Sequence, residues 1–508
     1  MFVIDWLAKQ AALRPEKVAL VDLASARSLT YRQFDERAGR CAEFLRSRCG
    51  IAPGERVAVL AHNCAEYFEL LYGCAKIGAI QVCLNWRLSV DENRVVLADS
   101  GASGLVYGAD FDAAARELCP AGGPRRLARL GGAADAVPSY EDALARSSGR
   151  SIEMPCRGMD EAWYLLYTSG TTGKPKGVIQ TYGMTFFNGV NSILSAKLTR
   201  DDVLLSVLPY FHTGGLNLYV NPLIQAGGTT YVMQQFDADR TIELLERDIT
   251  VFFGVPAIYL FLSQHPRFAQ ADFSRVRTWA CGGAPIAKTL LEQYLAKGIT
   301  ICTGFGMTET GPTVFLSDEQ TARRKIGSVG RPVTYALTKV VDDEGRSLGP
   351  NQRGELLVKG PGITPGYWHN PEATKAAIRD GWLWSGDIAY YDDDGDYYIV
   401  DRSKDMFISG GENVYPAEVE NVLFQMDAIA EAAVIGVPDA KWGEVGKAII
   451  AGKPGAMLAP EAIAKFCRER LAGYKVPKHF EFVPALPRNA AGKVVKAKLR
   501  ELYGATTA

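Results

Sequence analysis

Hydrophobic positions alternate between two spacings over roughly the first 400 residues. Short apolar runs such as VAVLA (57–61) and VFFGVP (251–256) are typical of buried strands. The stretch CAEYFELLYGCAKIGA (64–79) instead has the spacing of a packed helix that runs into a glycine turn. Strands that alternate with helices favour an α/β fold built on parallel sheets.

Two further segments modify this picture within the α/β region. Residues 203–236 carry no formal charge if His212 is neutral, but Gly, Pro, Asn and Gln interrupt them. They therefore indicate buried core or a pocket wall and not a membrane span. Residues 120–150 are rich in Ala, Gly and Arg, and we expect a peripheral connection there.

The pattern changes near residue 330 and again at the charged stretch DRSKD (401–405). Between these points, short strands and turns such as RGELLVKGP predict a small β-barrel-like subdomain. After DRSKD, a helix beginning at Pro416 and a strand EAAVIGV (431–437) indicate a separate α+β unit. We therefore predict a large N-terminal domain over 1–402, with an α/β part and the β-rich subdomain, and a smaller C-terminal domain over 403–508.

Composition narrows the class of protein. With 508 residues the chain is too long for one ordinary core, and 56 basic against 57 acidic residues leave a net charge of −1. That balance points to no nucleic acid and no anionic membrane surface as partner. The ten cysteines form no CxxC pair, which argues against zinc and disulfides and fits a reducing cytoplasm. The start MFVIDWLAKQ does not have the pattern of a signal peptide, and we expect no transmembrane segment.

The stretch YTSGTTGKPKGV (167–178) is typical of a loop that holds a polyphosphate. It is not a Walker loop, because Thr168 stands where the first Gly should be and Pro175 follows Lys174 in place of Ser or Thr. Hydroxyl groups, lysines and glycine backbone N–H groups can all contact phosphate oxygens. We expect Thr168, Ser169, Gly170, Thr171, Thr172, Gly173 and Lys174 to contact phosphate groups.

Seven motifs together carry a resemblance over nearly the whole chain. Besides YTSGTTGKPKGV they are PYFHTGG (209–215), CGGAP (281–285), GFGMTET (304–310), WSGDIAYYDDDG (384–395), DRSKDMFISGGENVYP (401–416) and PRNAAGKV (487–494). In this order and spacing the sequence resembles the adenylate-forming superfamily, which includes acyl- and aryl-CoA ligases, luciferases and peptide-synthetase adenylation domains. It looks most like bacterial fatty-acyl-CoA and hydroxycinnamoyl-CoA ligases.

The resemblance implies two α/β subdomains beside the β-barrel-like one, followed by a mobile C-terminal domain. It also implies a magnesium ligand and an ATP site in which the loop over 167–178 contacts the β- and γ-phosphates. In relatives, the aromatic residue at Phe305 lies against adenine, which Gly282, Gly283 and Ala284 bracket. The motif GFGMTET also supplies Gly306, Thr308 for the α-phosphate and Glu309 for Mg²⁺, a hard cation that prefers oxygen ligands. Asp387 is expected on the ribose hydroxyls and Arg402 on the ribose or a phosphate.

The resemblance also implies two alternating arrangements of the C-terminal domain. Lys493 is expected to bridge the α-phosphate and the substrate carboxylate, whereas Gly410 and Gly411 flank the route of CoA. Both cannot easily face one site together, so rotation about a hinge at Lys404 is expected. Further expected CoA contacts are Trp442, Arg87 and Lys475.

The acyl pocket is expected around 209–220, 282–285 and 302–313, where Glu309 is the one formally charged residue. A second carboxylate or an ammonium group on the acid would need a buried partner there, so we expect an apolar monocarboxylic acid. Between a medium- or long-chain fatty acid and an aromatic or hydroxycinnamic acid we favour the fatty acid. The pocket set is Tyr210, Phe211, His212, Gly214, Gly304 and Met307, with Leu216, Leu218 and Tyr219 as further apolar wall.

The predicted function is therefore an AMP-forming acyl-CoA ligase, with ATP, CoA and a small carboxylic acid as substrates. A free-standing adenylation enzyme that loads a carrier protein is the alternative, although no carrier domain follows Lys493. A homodimer is left open.

Overall fold

The computed structural model describes residues 1–133, 137–148, 152–169, 175–402, 404–410, 412–439, 441–456, 458–489 and 493–504. The side chains of Ser169 and Arg402 lie outside this description. Among the helices of these residues, none has both the length and the apolar character needed to cross a bilayer.

The strands of the N-terminal domain include most of the short apolar runs. They are β1 (Phe2–Val3), β2 (Val18–Asp22), β3 (Arg27–Thr30), β4 (Arg56–Leu60), β5 (Ile80–Cys83), β6 (Gly104–Gly108), β7 (Arg125–Leu130), β8 (Arg157–Gly158), β9 (Ala162–Ser169), β10 (Pro175–Thr181), β11 (Val203–Ser206), β12 (Thr229–Val232), β13 (Val251–Gly254), β14 (Thr278–Cys281), β15 (Ile301–Gly306), β16 (Thr313–Leu316), β17 (Leu337–Val341), β18 (Gly354–Lys359), β19 (Ile378–Arg379), β20 (Trp382–Tyr391) and β21 (Tyr397–Arg402).

The strands of the C-terminal domain begin shortly after the charged stretch. They are β22 (Phe407–Ser409), β23 (Glu412–Val414), β24 (Ile429–Asp439), β25 (Gly443–Gly452) and β26 (His479–Phe482).

The α-helices cover the sheets. They are α1 (Trp6–Leu13), α2 (Tyr31–Glu43), α3 (Ala65–Ile77), α4 (Val90–Ser100), α5 (Asp112–Leu118), α6 (Tyr140–Ala145), α7 (Tyr182–Ala196), α8 (Thr213–Asn217), α9 (Val220–Ala226), α10 (Ala238–Arg247), α11 (Pro256–Gln264), α12 (Lys288–Ala296), α13 (Glu319–Arg324), α14 (Pro371–Ala377), α15 (Pro416–Leu423), α16 (Pro460–Arg468) and α17 (Lys496–Tyr503).

Two largely parallel sheets form the α/β part, as the alternating pattern predicts. One has the strand order β10-β9-β5-β4-β6-β7, and the other has the order β16-β15-β14-β13-β11-β12-β2-β3. Strands β13, β14 and β15 pair in parallel, so their carboxyl ends meet at one edge of the second sheet. In open parallel sheets that edge is where ligands bind.

Two smaller sheets confirm the β-rich subdomain and the α+β C-terminal domain. The first is antiparallel, with the order β17-β18-β20-β19 and β21 paired to β20. The second has the order β23-β22-β25-β24, and β26 joins β25 in parallel. Helix α15 begins at Pro416 and buries Val419, Val422 and Leu423, the face that the spacing predicts.

The prediction for residues 120–150 was wrong in part. This segment contributes β7, which pairs in parallel with β6 at the edge of the first sheet, and also the helix α6. The sequence RRLARL does not have the apolar pattern of a buried strand, so the strand was not predicted. Its arginines are tolerated because the strand lies at the edge of the sheet, where charged side chains reach solvent or a partner. Arg129, for example, forms an ion pair with Asp112 at 2.9 Å.

Candidate active site

A cavity of about 2800 Å³ lies at the carboxyl ends of β13, β14 and β15 and continues to the C-terminal domain. We call it the central cavity. Most predicted site residues that the structure describes line it: Arg87, Thr168, Phe211, His212, Gly214, Gly282, Gly283, Ala284, Gly304, Phe305, Gly306, Met307, Thr308, Glu309, Asp387, Lys404 and Lys493. Segments far apart in sequence therefore converge on one space large enough for several substrates.

The predicted nucleotide residues sit on strand ends and the turns that follow them. Gly283, directly after β14, has φ of +84°, a conformation that favours glycine and lets the backbone turn away at the cavity wall. Asp387 on β20 is buried, and it lies opposite Arg402 of β21 in the strand register. The backbone N–H of Asp387 donates to Ser385 Oγ at 3.1 Å, which helps to fix the position of the aspartate.

Thr308 and Glu309 lie on a single helical turn directly after β15. The side chain of Gln180 donates from Nε2 to the Thr308 carbonyl oxygen at 2.9 Å. The Tyr367 hydroxyl donates to Glu309 Oε1 at 2.8 Å. Neither Gln180 nor Tyr367 lies in a recognised motif, so sequence reasoning missed both of them. A buried carboxylate held by one hydroxyl is a hard oxygen donor of the kind Mg²⁺ takes beside phosphates, so the residues fit that ion.

Lys493 reaches the central cavity from the C-terminal domain. The Lys493 N–H donates to Asn489 Oδ1 at 2.9 Å, and the Asn489 N–H donates to the Lys493 carbonyl oxygen at 2.7 Å. Lys493 lies between β26 and α17, and these two bonds hold the backbone from which its flexible cationic side chain extends.

His212 lies between two cations at the cavity wall. Burial, and to a smaller extent the positive charges of Lys493 and Arg87, together lower its pKa to about 4. Its Nε2 atom is buried and has no hydrogen-bond partner among the described residues. His212 is therefore a neutral imidazole near pH 7.

The acyl-pocket prediction was wrong for Tyr210. Its side chain does not line the central cavity but is buried against Tyr67 and Phe68, with ring centroids 5.5 Å and 4.7 Å away. The backbone N–H of Tyr210 donates to Asn63 Oδ1 at 3.0 Å, which turns this residue into the core while Phe211 and His212 face the cavity. Leu216 is likewise core, whereas Leu218 and Tyr219 line the cavity.

The predicted CoA residues divide into two groups. Arg87 lines the central cavity, whereas Gly410, Trp442 and Lys475 do not. The Gly410 N–H donates to the Trp442 carbonyl oxygen at 2.9 Å, and Lys478 Nζ lies 4.7 Å from the Trp442 ring. Lys475 instead forms an ion pair with Glu418 at 2.7 Å.

The predicted hinge lies beside polar contacts between the domains. Asp401, near the end of β21, accepts a hydrogen bond from the Ala417 N–H at 2.9 Å, at the start of α15. Lys496 Nζ lies 2.9 Å from Glu420 and 3.9 Å from Asp401. Lys404 itself lines the central cavity.

Several predicted residues lie outside the described part of the chain. They are Gly170, Thr171, Thr172, Gly173, Lys174 and Gly411, together with the side chains of Ser169 and Arg402. The flanks of the glycine-rich loop are described, and they form the antiparallel pair β9 and β10, in which Thr168 lies opposite Lys176.

Two family profiles match the chain. The profile of AMP-binding enzymes matches residues 7–368, and that of the AMP-binding enzyme C-terminal domain matches residues 418–493. A feruloyl-CoA synthase from an Amycolatopsis species is 40% identical over 501 residues, covering 98% of this chain and 99% of that protein. The long-chain-fatty-acid–CoA ligase FadD13 of Mycobacterium tuberculosis is 39% identical over 516 residues, covering 99% of each chain.

A solved structure agrees over the whole length. ATP-bound MatB from Rhodopseudomonas palustris is 32% identical and superposes with a TM-score of 0.91, covering 98% of this chain and 99% of that one. The apo form of the same protein superposes with a TM-score of 0.81. The chain therefore belongs to the AMP-binding enzyme family, within the adenylate-forming superfamily, and is an AMP-forming acid–thiol ligase of the acyl-CoA synthetase type.

Proposed function

We propose that the protein joins an apolar monocarboxylic acid to CoA in two steps, with an acyl-adenylate between them. The observation that carries this proposal is that Lys493, Thr308, Glu309 and Asp387 line one cavity although they come from distant segments of two domains. Such a set can hold the nucleotide and the reacting groups of both anionic reactants together.

In the first step, a carboxylate oxygen of the acid attacks the α-phosphorus of ATP. The bond between the α-phosphorus and the bridging oxygen breaks, and pyrophosphate leaves with the electron pair. Asp387 would bind the ribose, Thr308 would donate to the α-phosphate, and Lys493 would neutralise the charge that collects between phosphate and carboxylate. Thr168 and the glycine-rich loop would contact the departing pyrophosphate.

Mg²⁺ would be held by Glu309, whose Oε1 atom the Tyr367 hydroxyl already positions. Bound there, the ion would offset the negative charge of the phosphates. Removal of the carboxylate in Glu309→Gln should weaken the dependence of adenylation on Mg²⁺ concentration.

In the second step, the CoA sulfur attacks the carbonyl carbon of the adenylate, AMP leaves, and the thiol proton is released. Gly410 and Trp442 lie off the central cavity while Lys493 lies on it, so this arrangement suits the first step. The higher TM-score with the ATP-bound relative than with its apo form supports the same assignment. We expect the domain beyond residue 402 to rotate about Lys404 before CoA attacks.

The acid is proposed to be a fatty acid or an aryl acid. The segments 208–219, 253–257, 281–287 and 303–316 supply the cavity wall between the two sheets, and Glu309 is their one formally charged residue. Similarity to both a feruloyl-CoA synthase and a fatty-acid ligase supports the two classes equally. The described cysteines are free thiols, which supports a reducing cytoplasm as the location.

One assay tests the reaction. The protein is incubated with ATP, Mg²⁺, CoA and single acids from a panel of fatty, benzoic and cinnamic acids, and the products are identified by mass spectrometry. We expect acyl-CoA, AMP and pyrophosphate with at least one acid. ADP in place of AMP, or thioester on a holo-carrier protein but not on CoA, would contradict the proposal.

Replacement of Lys493 should affect the two steps differently. Lys493→Ala should abolish acid-dependent exchange of pyrophosphate into ATP, yet still convert supplied acyl-adenylate and CoA into thioester. Lys498→Ala is the matched control, because Lys498 lies five residues further on and pairs with Glu501 on the exposed face of α17. Equal loss of both steps in Lys493→Ala would show that the lysine is structural.

A further inference from the structure

The two carboxylate oxygens of Glu309 have different surroundings. Oε1 accepts a hydrogen bond from the Tyr367 hydroxyl at 2.8 Å. Oε2 accepts none from the described residues, and it is not among their buried polar atoms that lack a partner, so it is open to the central cavity that Glu309 lines. The protein therefore engages one oxygen of the carboxylate and leaves the other available to a ligand.

The backbone of Tyr367 is fixed by hydrogen bonds on both sides. Its N–H donates to Thr374 Oγ1 at 2.9 Å, and Tyr367 pairs with Val178 of β10 in an antiparallel bridge. The N–H of the next residue, Trp368, donates to the Gly177 carbonyl oxygen at 2.7 Å. These bonds attach Tyr367 to the strand that follows the glycine-rich loop, so the point from which its side chain extends is defined.

Glu309 is held at its backbone by the same segment. The Thr364 N–H donates to the Glu309 carbonyl oxygen at 2.8 Å. The Thr364 hydroxyl donates in turn to the Ile179 carbonyl oxygen of β10 at 2.7 Å. Residues 364–368 therefore contact Glu309 both at its backbone and at its carboxylate, and the buried side chain has little freedom to turn.

A carboxylate can bind a cation through one oxygen or through both. Ca²⁺ accommodates a flexible and larger set of oxygen ligands and readily takes both oxygens of one carboxylate. Mg²⁺ is smaller and requires a nearly octahedral arrangement, into which two oxygens of the same carboxylate fit poorly. An oxygen that already accepts a hydrogen bond has fewer lone pairs to offer to a cation.

From these observations we infer that Tyr367 is a positioning residue that makes Glu309 a one-oxygen ligand and so favours Mg²⁺ over Ca²⁺ when ATP is bound. This inference rests on the proposed function, because it refines the metal site that Glu309 would supply. With the Tyr367 hydroxyl on Oε1, only Oε2 is offered to the cation. Loss of the hydroxyl would free both oxygens, which benefits Ca²⁺ more than Mg²⁺. A hydroxyl that only stabilised the fold would affect both metal complexes equally.

Isothermal titration calorimetry measures this selectivity in the absence of acid and CoA. ATP is titrated into the protein with saturating MgCl₂ or with saturating CaCl₂, and the two dissociation constants are compared. Wild-type protein should bind ATP about tenfold more tightly with Mg²⁺ than with Ca²⁺. Tyr367→Phe should lower that ratio by about fivefold, the change expected from one hydrogen bond, chiefly through tighter binding with Ca²⁺.

Tyr397→Phe is the matched control. Tyr397 lies on β21, is buried and does not line the cavity, and its hydroxyl accepts a hydrogen bond from Thr338 Oγ1 at 3.1 Å. This variant also loses one hydroxyl and should keep the wild-type ratio. An unchanged ratio in Tyr367→Phe, or the same fall in both variants, would overturn the inference.

A crystal structure of the wild-type protein with Mg²⁺ and ATP is a second measurement, which decides the matter if Tyr367→Phe does not fold. Oε2 of Glu309 should lie on the metal and Oε1 on the Tyr367 hydroxyl. Both oxygens on the metal, or neither, would overturn the inference, as would a wild-type ratio below about twofold. The thioester assay tests the proposed function separately, because the absence of acyl-CoA with every acid of the panel would refute that function whatever the metal ratio is.

Discussion

His212 should remain neutral throughout the physiological pH range. Its ring opens in part onto the central cavity but is enclosed by protein, and Lys493 and Arg87 lie near enough to repel a third positive charge. Burial is the larger cause of the low pKa of about 4, and the two cations add to it. Protonation of His212 would therefore create a charge that lacks full hydration and that two nearby positive charges repel.

The free energy that disfavours the protonated form of His212 follows from its ordinary and its lowered pKa. A fall from the ordinary 6.5 to about 4 is roughly 2.5 pH units, or about 3.4 kcal/mol between the protonated and neutral forms. Because the folded-state pKa lies below the unfolded one, this stabilisation is fully present above about pH 6.5. It is lost as the pH falls toward 4. Water that enters the cavity hydrates the ring, so the figure is an upper limit.

NMR of protein labelled at its histidine rings measures this pKa directly. The chain has five histidines, and the signal that disappears in His212→Asn identifies His212. We expect its chemical shift to stay constant from pH 8 to pH 5.5. In Lys493→Ala the midpoint should rise, because one repelling charge is gone. A midpoint near 6.5 in the wild type would refute the reasoning.

Two further substitutions test the second step and the fold. Gly410→Ala should impair thioester formation but not adenylation, because φ is +64° and an added Cβ would lie 2.5 Å from Trp442. Gly443→Ala is the control: its φ is +76°, its nearest atom would lie at 3.9 Å, and it should give a smaller defect in the same two assays. Lys76→Met should destabilise the N-terminal domain by about 3 kcal/mol, since it leaves two half-buried carboxylates without their buried cation. Thermal unfolding of Lys76→Met should show a smaller loss of stability at pH 5 than at pH 7, because burial raises the pKa of Asp35 and protonation removes its charge. An equal loss of stability at both pH values would contradict this expectation.

The predicted site residues that the structure brings together share one property. Gly282 follows β14, and Phe305 and Thr308 lie at or just after the end of β15; because the carboxyl ends of parallel strands meet at one edge, local patterns were enough to bring these residues together. The strand β7 and the direction of Tyr210 were missed for the opposite reason. Each depends on a partner outside its own segment, the edge of the preceding strand β6 in one case and the distant Asn63 in the other.

Partners distant in sequence also explain why the acid was harder to predict than the reaction. The reaction depends on groups that every substrate shares, a phosphate, a ribose and a carboxylate, and short motifs hold them. The tail has no such shared group, and the proposed wall also includes parts of α7, α8, β13 and β16, which carry no formal charge that would specify a partner. Tyr219 was counted as one more apolar residue, because a sequence shows that a hydroxyl is present and not whether the fold supplies its partner. Only the packing shows that this hydroxyl is buried without a hydrogen-bond partner among the described residues.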